Sequence, residues 1–216
     1  METLLVANWK ANKTLAQAFE WLDQISQTNV SDDLALVIAA PYPFLAPLKG
    51  EIMANQMSIK LASQDISKFE SGAHTGEVTC AMVSGLVDYS LVGHSERRMN
   101  FGESDEDVAV KSALLIKNNI QPIVCVQSDT IPVPGGVRIV AYEPPSAIGT
   151  GQPDTIDHIK EMVVKINTAT HTKVLYGGSV DAANIKSIAE GTGVTGFLVG
   201  GASLDPVEFI SLVSSL

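Results

Sequence analysis

The segment Ala141-Tyr-Glu-Pro-Pro-Ser-Ala-Ile-Gly-Thr-Gly151 joins a short apolar run to a loop built for chemistry, and its first half is the unit the rest of the chain repeats. The run over 137–142 delivers a single carboxylate, Glu143, at its end. Pro144 and Pro145 fix φ at one side of the loop that follows. Gly149 and Gly151 permit backbone geometries that other residues resist and leave bare N–H groups that an anion can approach. A base on a strand tip beside a loop able to move is one reading; a strand followed by an ordinary surface loop is the other. The remaining motifs decide between them.

Working outward, short apolar runs recur at 4–7, 34–39, 58–62, 89–92, 122–126, 173–176 and 196–199. With 137–142 they make eight candidate strands. Most are separated by segments of helical spacing, such as 15–25 with Phe19, Leu22 and Ile25 on one face, and 105–117 with Val108, Ala109, Leu115 and Ile116. Strands too short and too apolar to alternate are expected where both faces of a parallel sheet are covered. Eight βα units favour a closed (β/α)8 barrel, a single domain over 1–216, with an open doubly wound sheet as the alternative that strand counting leaves. Ser104 or Asp105 is placed to cap one helix, Asp154 to open another, and Asp205-Pro206 to start the last. One unit is irregular. Between Val126 and Val137, Pro132 and Pro134 forbid a helix interior. The helix between strands 5 and 6 is expected to be missing, which would leave part of the barrel wall uncovered as a contact surface for another subunit.

A net charge of −10 argues against nucleic acid or an anionic membrane as a partner, so a site for an anionic substrate must be locally positive. No stretch reaches the roughly 20 apolar residues that span a bilayer, and no basic region precedes the first apolar run, so a cytoplasmic protein is expected. Cys80 and Cys125 lack metal-ligand spacing and read as small buried residues in a reducing compartment. No metal and no cofactor is expected.

In such a barrel the reactive groups sit at the C-terminal ends of strands. After the first come Asn8, Trp9 and Lys10; the lysine is either a cation for an anionic ligand or a solvated charge. After the fourth comes Gly93-His-Ser-Glu-Arg-Arg98, where Ser95 suits a helix cap and the helix dipole would hold His94 neutral, as a hydrogen-bond donor or a structural histidine. After the seventh and eighth come Tyr176-Gly-Gly-Ser179 and Gly200-Gly201, two glycine turns whose N–H groups suit a phosphate. A cation, a neutral electrophile, a carboxylate base and a phosphate cradle suit proton abstraction beside a carbonyl in a small phosphorylated sugar.

Asn8-Trp-Lys10, Gly93-His-Ser-Glu-Arg-Arg98, Ala141-Tyr-Glu143, Ala147-Ile-Gly-Thr-Gly151, Tyr176-Gly-Gly-Ser179 and Val199-Gly-Gly-Ala202 together resemble the triosephosphate isomerase family, in its own order and from end to end. The pairing of a glutamate base with a neutral histidine under a closing lid is that family's familiar pattern, carried over here by resemblance. It implies that Glu143 moves the proton between C1 and C2 while His94 polarises the carbonyl. It implies further that Asn8 and Lys10 bind the enediolate, and that Gly149, Ser179, Gly200 and Gly201 hold the phosphate of a triose. Glu96 and Arg98 match supporting positions, with ion pairing inside the barrel as the implied role. Gly72-Ala-His-Thr-Gly-Glu77 resembles the family's protruding loop, implying a homodimer or larger homo-oligomer with Thr75 at the interface.

Two departures fall where they can touch. Many members carry Val-Trp after the lid's Glu-Pro and Gly-Glu after the Cys-Val of the fifth strand; here stand Pro145-Ser146 and Gln127-Ser128. Losing both partners of a lid hydrogen bond leaves no buried orphan. Shortened members with a Glu-Pro-Pro lid occur among archaea, some as tetramers. The competing readings are a barrel isomerase acting on an aminated ribose phosphate and a catalytically weakened barrel serving as a binding or scaffold protein.

Overall fold

The computed structural model describes residues 3–145, 147 and 152–216. Eight parallel strands, β1 (Thr3–Asn8), β2 (Leu34–Ala40), β3 (Ile59–Ser63), β4 (Tyr89–Val92), β5 (Gln121–Val126), β6 (Ile139–Tyr142), β7 (Lys173–Tyr176) and β8 (Gly196–Val199), close in chain order into a barrel. The seam is β8 on β1, where Leu4 pairs with Gly196. A Cβ at position 196 would lie 2.1 Å from the Leu4 carbonyl oxygen, so only glycine lets the two backbones meet there.

Strand side chains alternate between two apolar clusters. Leu4, Val6, Ala35, Val37, Ile123, Cys125, Ile139, Ala141, Leu175 and Leu198 fill the barrel interior. Their neighbours, among them Leu5, Ala7, Val124, Val126, Val140 and Val174, face outward. That face is covered by α1 (Leu15–Ser26), α2 (Tyr42–Ala54), α3 (Cys80–Val83), α4 (Ser95–Phe101), α5 (Asp105–Lys117), α6 (Ile156–Thr170), α7 (Ile185–Thr192) and α8 (Pro206–Ser215). Burial of both faces is why each strand reads as a continuous apolar run. The caps follow the expected residues at Ser104, which accepts from Asp107 N–H, and at Asp205, which accepts from Val207 N–H. At α6 the cap is Thr155 and not Asp154, whose carboxylate instead accepts from Thr155 N–H.

No helix joins β5 to β6, as the prolines require. The wall beside this connection is nevertheless covered, which corrects the expectation of an open contact surface. Ile131 and Val133 pack against the outward-facing cluster, and Val124, Val126 and Val140 are at most 1% exposed. A Cβ on Gly136, at φ +83°, would lie 3.2 Å from Ile116 of α5, so the strap also rests on that helix.

Candidate active site

The alternation that fills the barrel also aims the side chains at its mouth. Continuing each inward series past the strand end gives Asn8 and Lys10 after Val6, Gln127 after Cys125, Glu143 after Ala141, Gly177 after Leu175 and Gly200 after Leu198. A cavity of about 330 Å³ lies over these positions, lined by Asn8, Lys10, His94, Glu143, Ser179, Gly200 and Gly201. The structure therefore brings together every described residue that the sequence singled out for the chemistry. Gly149 lies outside the described residues, as do Ser146, Ile148, Thr150 and Gly151 of the lid.

Glu143 follows β6 directly and its N–H still donates to Val126 O at 2.8 Å, so the strand ladder fixes its backbone. Its side chain is 2% exposed. Oε2 accepts from Ser95 N–H at 2.9 Å and from the Gln127 amide at 3.1 Å, while Oε1 lies 2.9 Å from Nε2 of His94. Gly177 makes room: a Cβ there would come within 3.0 Å of Glu143 Cγ. Burial first, and then the Glu143 carboxylate, push the Cys125 thiol well above its ordinary range.

His94 is itself the cap of α4, a correction to the expected Ser95. Its Nδ1 accepts from Glu96 N–H at 3.2 Å, and Ser95 contributes its backbone N–H to Glu143 instead of a capping hydroxyl. A nitrogen that accepts carries no proton, so the imidazole is neutral with its hydrogen on Nε2. That hydrogen points at Glu143. The 3.4 Å approach of Asn8 Nδ2 to His94 Nε2 then sets two donors side by side, and leaves the Asn8 amide hydrogens for a ligand. Asn8 is held by its other atom, Oδ1, which accepts from Lys10 N–H at 3.1 Å.

Lys10 sits at φ +52°, a left-handed conformation that few non-glycine residues adopt. Gln64 donates to its carbonyl at 3.0 Å and also to Ala39 O at 2.9 Å, holding the turn. Its ammonium pairs with Glu96 at 2.6 Å and lies beside Gly200, whose Cβ position would be 3.7 Å away. Arg98 pairs with Asp105 at 2.7 Å and donates to Gly93 O. These ion pairs sit at the barrel mouth and between α4 and α5, not within the barrel. Gly93 is required as well: at φ +70° a Cβ would meet Arg98 at 2.9 Å and Cys125 O at 3.2 Å.

Across the cavity, Gly200 leads straight into a 3-10 turn, Gly201–Ser203, fixed by Trp21 Nε1 donating to Ser203 O at 3.0 Å. The β7 turn reaches α7 only after a further turn in which Asp181 accepts from the N–H groups of Ala183 and Asn184. Ser179 Oγ donates to Ala147 O at 2.7 Å, so the β7 turn touches the lid segment. Thr75 is exposed on the loop after β3, where His74 stacks on Phe69 at 4.1 Å. Sequence reasoning took Gln127 only as a departure at the lid contact, without a place beside Glu143, and passed over Gln64, a neutral residue that draws no attention. It also missed the cluster in which buried Lys111 pairs with Asp65 at 2.7 Å and with Glu103, and Arg97 pairs with Asp65 at 2.8 Å. Burial raises the Asp65 carboxyl above its usual range. Among the described residues no group of three or more His, Cys, Asp or Glu is arranged to hold a metal ion, and no helix is long and apolar enough to cross a membrane.

The family model for triosephosphate isomerase matches residues 3–131 and 136–216, passing over only 132–135 in the helix-less connection. Curated relatives of that name agree along their whole length. The protein of Mesomycoplasma hyorhinis is 35% identical over 99% of this chain and 98% of its own. That of Deinococcus radiodurans is 35% identical over 100% of both, and that of Leifsonia xyli subsp. xyli 34% identical over 97% and 95%.

Proposed function

This chain belongs to the triosephosphate isomerase family, and from that premise we propose that Glu143 is the base of its reaction. The protein interconverts D-glyceraldehyde 3-phosphate and dihydroxyacetone phosphate, an isomerisation shared by glycolysis and gluconeogenesis. The observation that carries the assignment is a buried carboxylate 2.9 Å from Nε2 of a neutral histidine, in a cavity that the glycine turns after β7 and β8 also line.

In this structure His94 Nε2–H points at Glu143. A bound triose replaces that contact: its carbonyl oxygen takes the hydrogen bond from His94, and Oε1 of Glu143 is released toward the carbon-bound proton. Removal of that proton gives an enediolate spread over both oxygens. The free Asn8 amide and the Lys10 ammonium stabilise it, with Lys10 exchanging Glu96 for the substrate anion. Glu143 then returns the proton to the other carbon, while His94 gives its Nε2 proton to the former carbonyl oxygen and recovers one from the former hydroxyl. Ser179, Gly200 and Gly201 hold the phosphate through backbone N–H groups. Closure of the lid excludes water and keeps the enediolate from eliminating phosphate, so deleting the lid tip is expected to raise that side product; an unchanged product ratio would contradict it.

A homodimer or larger assembly is supported by the exposed loop carrying Thr75, and by Met99 and Phe101, which are 72% and 70% exposed. Phe101 and Phe69 line one cleft with Gly76 of that loop. A sedimentation mass of one chain at micromolar concentration would remove this reading. The barrel closes from β1 to β8, which supports one domain over 1–216, and two free cysteines accord with a cytoplasmic enzyme. Nothing favours the scaffold alternative.

Isomerisation run in D2O tests the proton-transfer step. Solvent deuterium is expected on the reacting carbon of the product. Solvent label establishes a proton-transfer step, whereas a product free of label together with undiminished turnover in Glu143→Gln would exclude Glu143 as the base.

A further inference from the structure

The carboxylate of Glu143 has a partner that the reaction above does not use. Val126 pairs with Tyr142 in the β5–β6 register, so Gln127 and Glu143 are adjacent at the two strand tips and share the inward direction of Cys125 and Ala141. The Gln127 amide lies 3.1 Å from Oε2. Its nitrogen must face the carboxylate, because the amide oxygen would meet a lone pair there. Ser95 N–H binds the same oxygen, which leaves Oε1 as the atom turned to His94 and the cavity.

We propose that Gln127 is a positioning residue for the base: with Ser95 N–H it docks Oε2 of Glu143, selects Oε1 as the reactive oxygen and favours the ionised carboxylate. The proposal rests on Glu143 being the base. A donor to the charged form of a carboxylate stabilises that form, and a bond to an ionised group is worth more than a neutral one. The other titratable and charged groups around Glu143 are His94 from the β4 end, the Cys125 thiol on β5 and Lys10, paired with Glu96, across the cavity. Arg98 and Glu103 lie behind Gly93, bonded to its carbonyl and its N–H. Of these, the Cys125 thiol also hydrogen-bonds the Glu143 carboxylate, as a weak donor, and Gln127 is the side-chain amide donor on Oε2.

The test compares Gln127→Met, which keeps length and removes the donor, and Gln127→Glu, which keeps shape and adds a like charge, with wild type and Glu143→Gln. The readout is the pH profile of kcat/KM. The acid limb is expected to move up by about one pH unit in Gln127→Met and further in Gln127→Glu, with KM within about twofold of wild type. A merely structural role would lower the melting temperature and leave the limb in place. If Glu143→Gln abolishes turnover while both Gln127 variants keep the wild-type limb, the positioning role is overturned and the base assignment stands. If Glu143→Gln stays active, the base assignment itself fails. Should Gln127→Met not fold, Gln127→Asn, whose shorter side chain withdraws the donor from Oε2, takes its place: an upward shift in it supports the proposal and an unmoved limb overturns it.

Discussion

Two neighbouring connections of this barrel are both rich in proline and glycine and have opposite uses. The β5–β6 strap carries Pro132, Pro134, Gly135 and Gly136; the β6–α6 connection carries Pro144, Pro145, Gly149, Gly151 and Pro153. Prolines keep a helix out of the strap. The strap lays Ile131 and Val133 on the outside of the barrel, taking the place of the missing helix. The other connection begins with a carboxylate in the barrel mouth and continues to Ala147, which is 1% exposed and bonded to Ser179. Composition decides what a segment cannot form; the side chains it carries, and the wall they meet, decide what it does. At their roots the two are joined by the bond from Gln127 to Glu143.

The comparison makes separable predictions. Replacing His94 with Ala removes the donor at the mouth and is expected to cut kcat by about 100- to 10,000-fold while the folded barrel persists, checked by stopped assays and circular dichroism on the same sample. An intermediate loss of both activity and fold would instead make His94 a structural residue.

On the strap the signs reverse. The double change Ile131→Ser and Val133→Ser is expected to cost about 2 kcal/mol of unfolding free energy, for two partly buried apolar side chains, with kcat unchanged. Urea titration reads the first and initial rates the second. A strap variant that loses turnover at full stability would show that the strap is part of the reaction.

A smaller effect belongs to the lid contact. Ser179→Ala removes the bond to Ala147 O and is expected to cost about 1 kcal/mol of unfolding free energy, read by urea titration. Smaller still is the behaviour of the thiols. Burial pushes Cys80 up to about 11 and Cys125 well above its ordinary range, so at pH 8 both are protonated in the folded protein. Alkylation at that pH is expected only after unfolding; fast labelling of Cys125 would mean that the mouth opens further than the packing allows.

The barrel was legible because burial on both faces writes each strand as a short apolar run, and the glycine turns and lone Glu143 stand at the ends of those runs. The covering of the wall was not legible. Ile131 and Val133 alternate with prolines and show neither helical nor strand burial pattern until a wall is placed beside them. The capping of α4 by His94 inverts a local preference for serine, because Ser95 N–H is held by Glu143, 48 residues away. Gln127 had a signal that went unused: it stands two residues past inward-facing Cys125, as Glu143 stands two past Ala141. The cluster joins Asp65, in the loop after β3, to Glu103 and Lys111, before and within α5, and no spacing along the chain announces it.

The most direct test is the steady-state conversion of D-glyceraldehyde 3-phosphate to dihydroxyacetone phosphate, with Glu143→Gln prepared in parallel. Rapid turnover in the wild type and a loss of about 100- to 10,000-fold in the variant is the predicted result. Equal turnover in the two proteins would contradict the account, since the carboxylate at the tip of β6 would then not be the base.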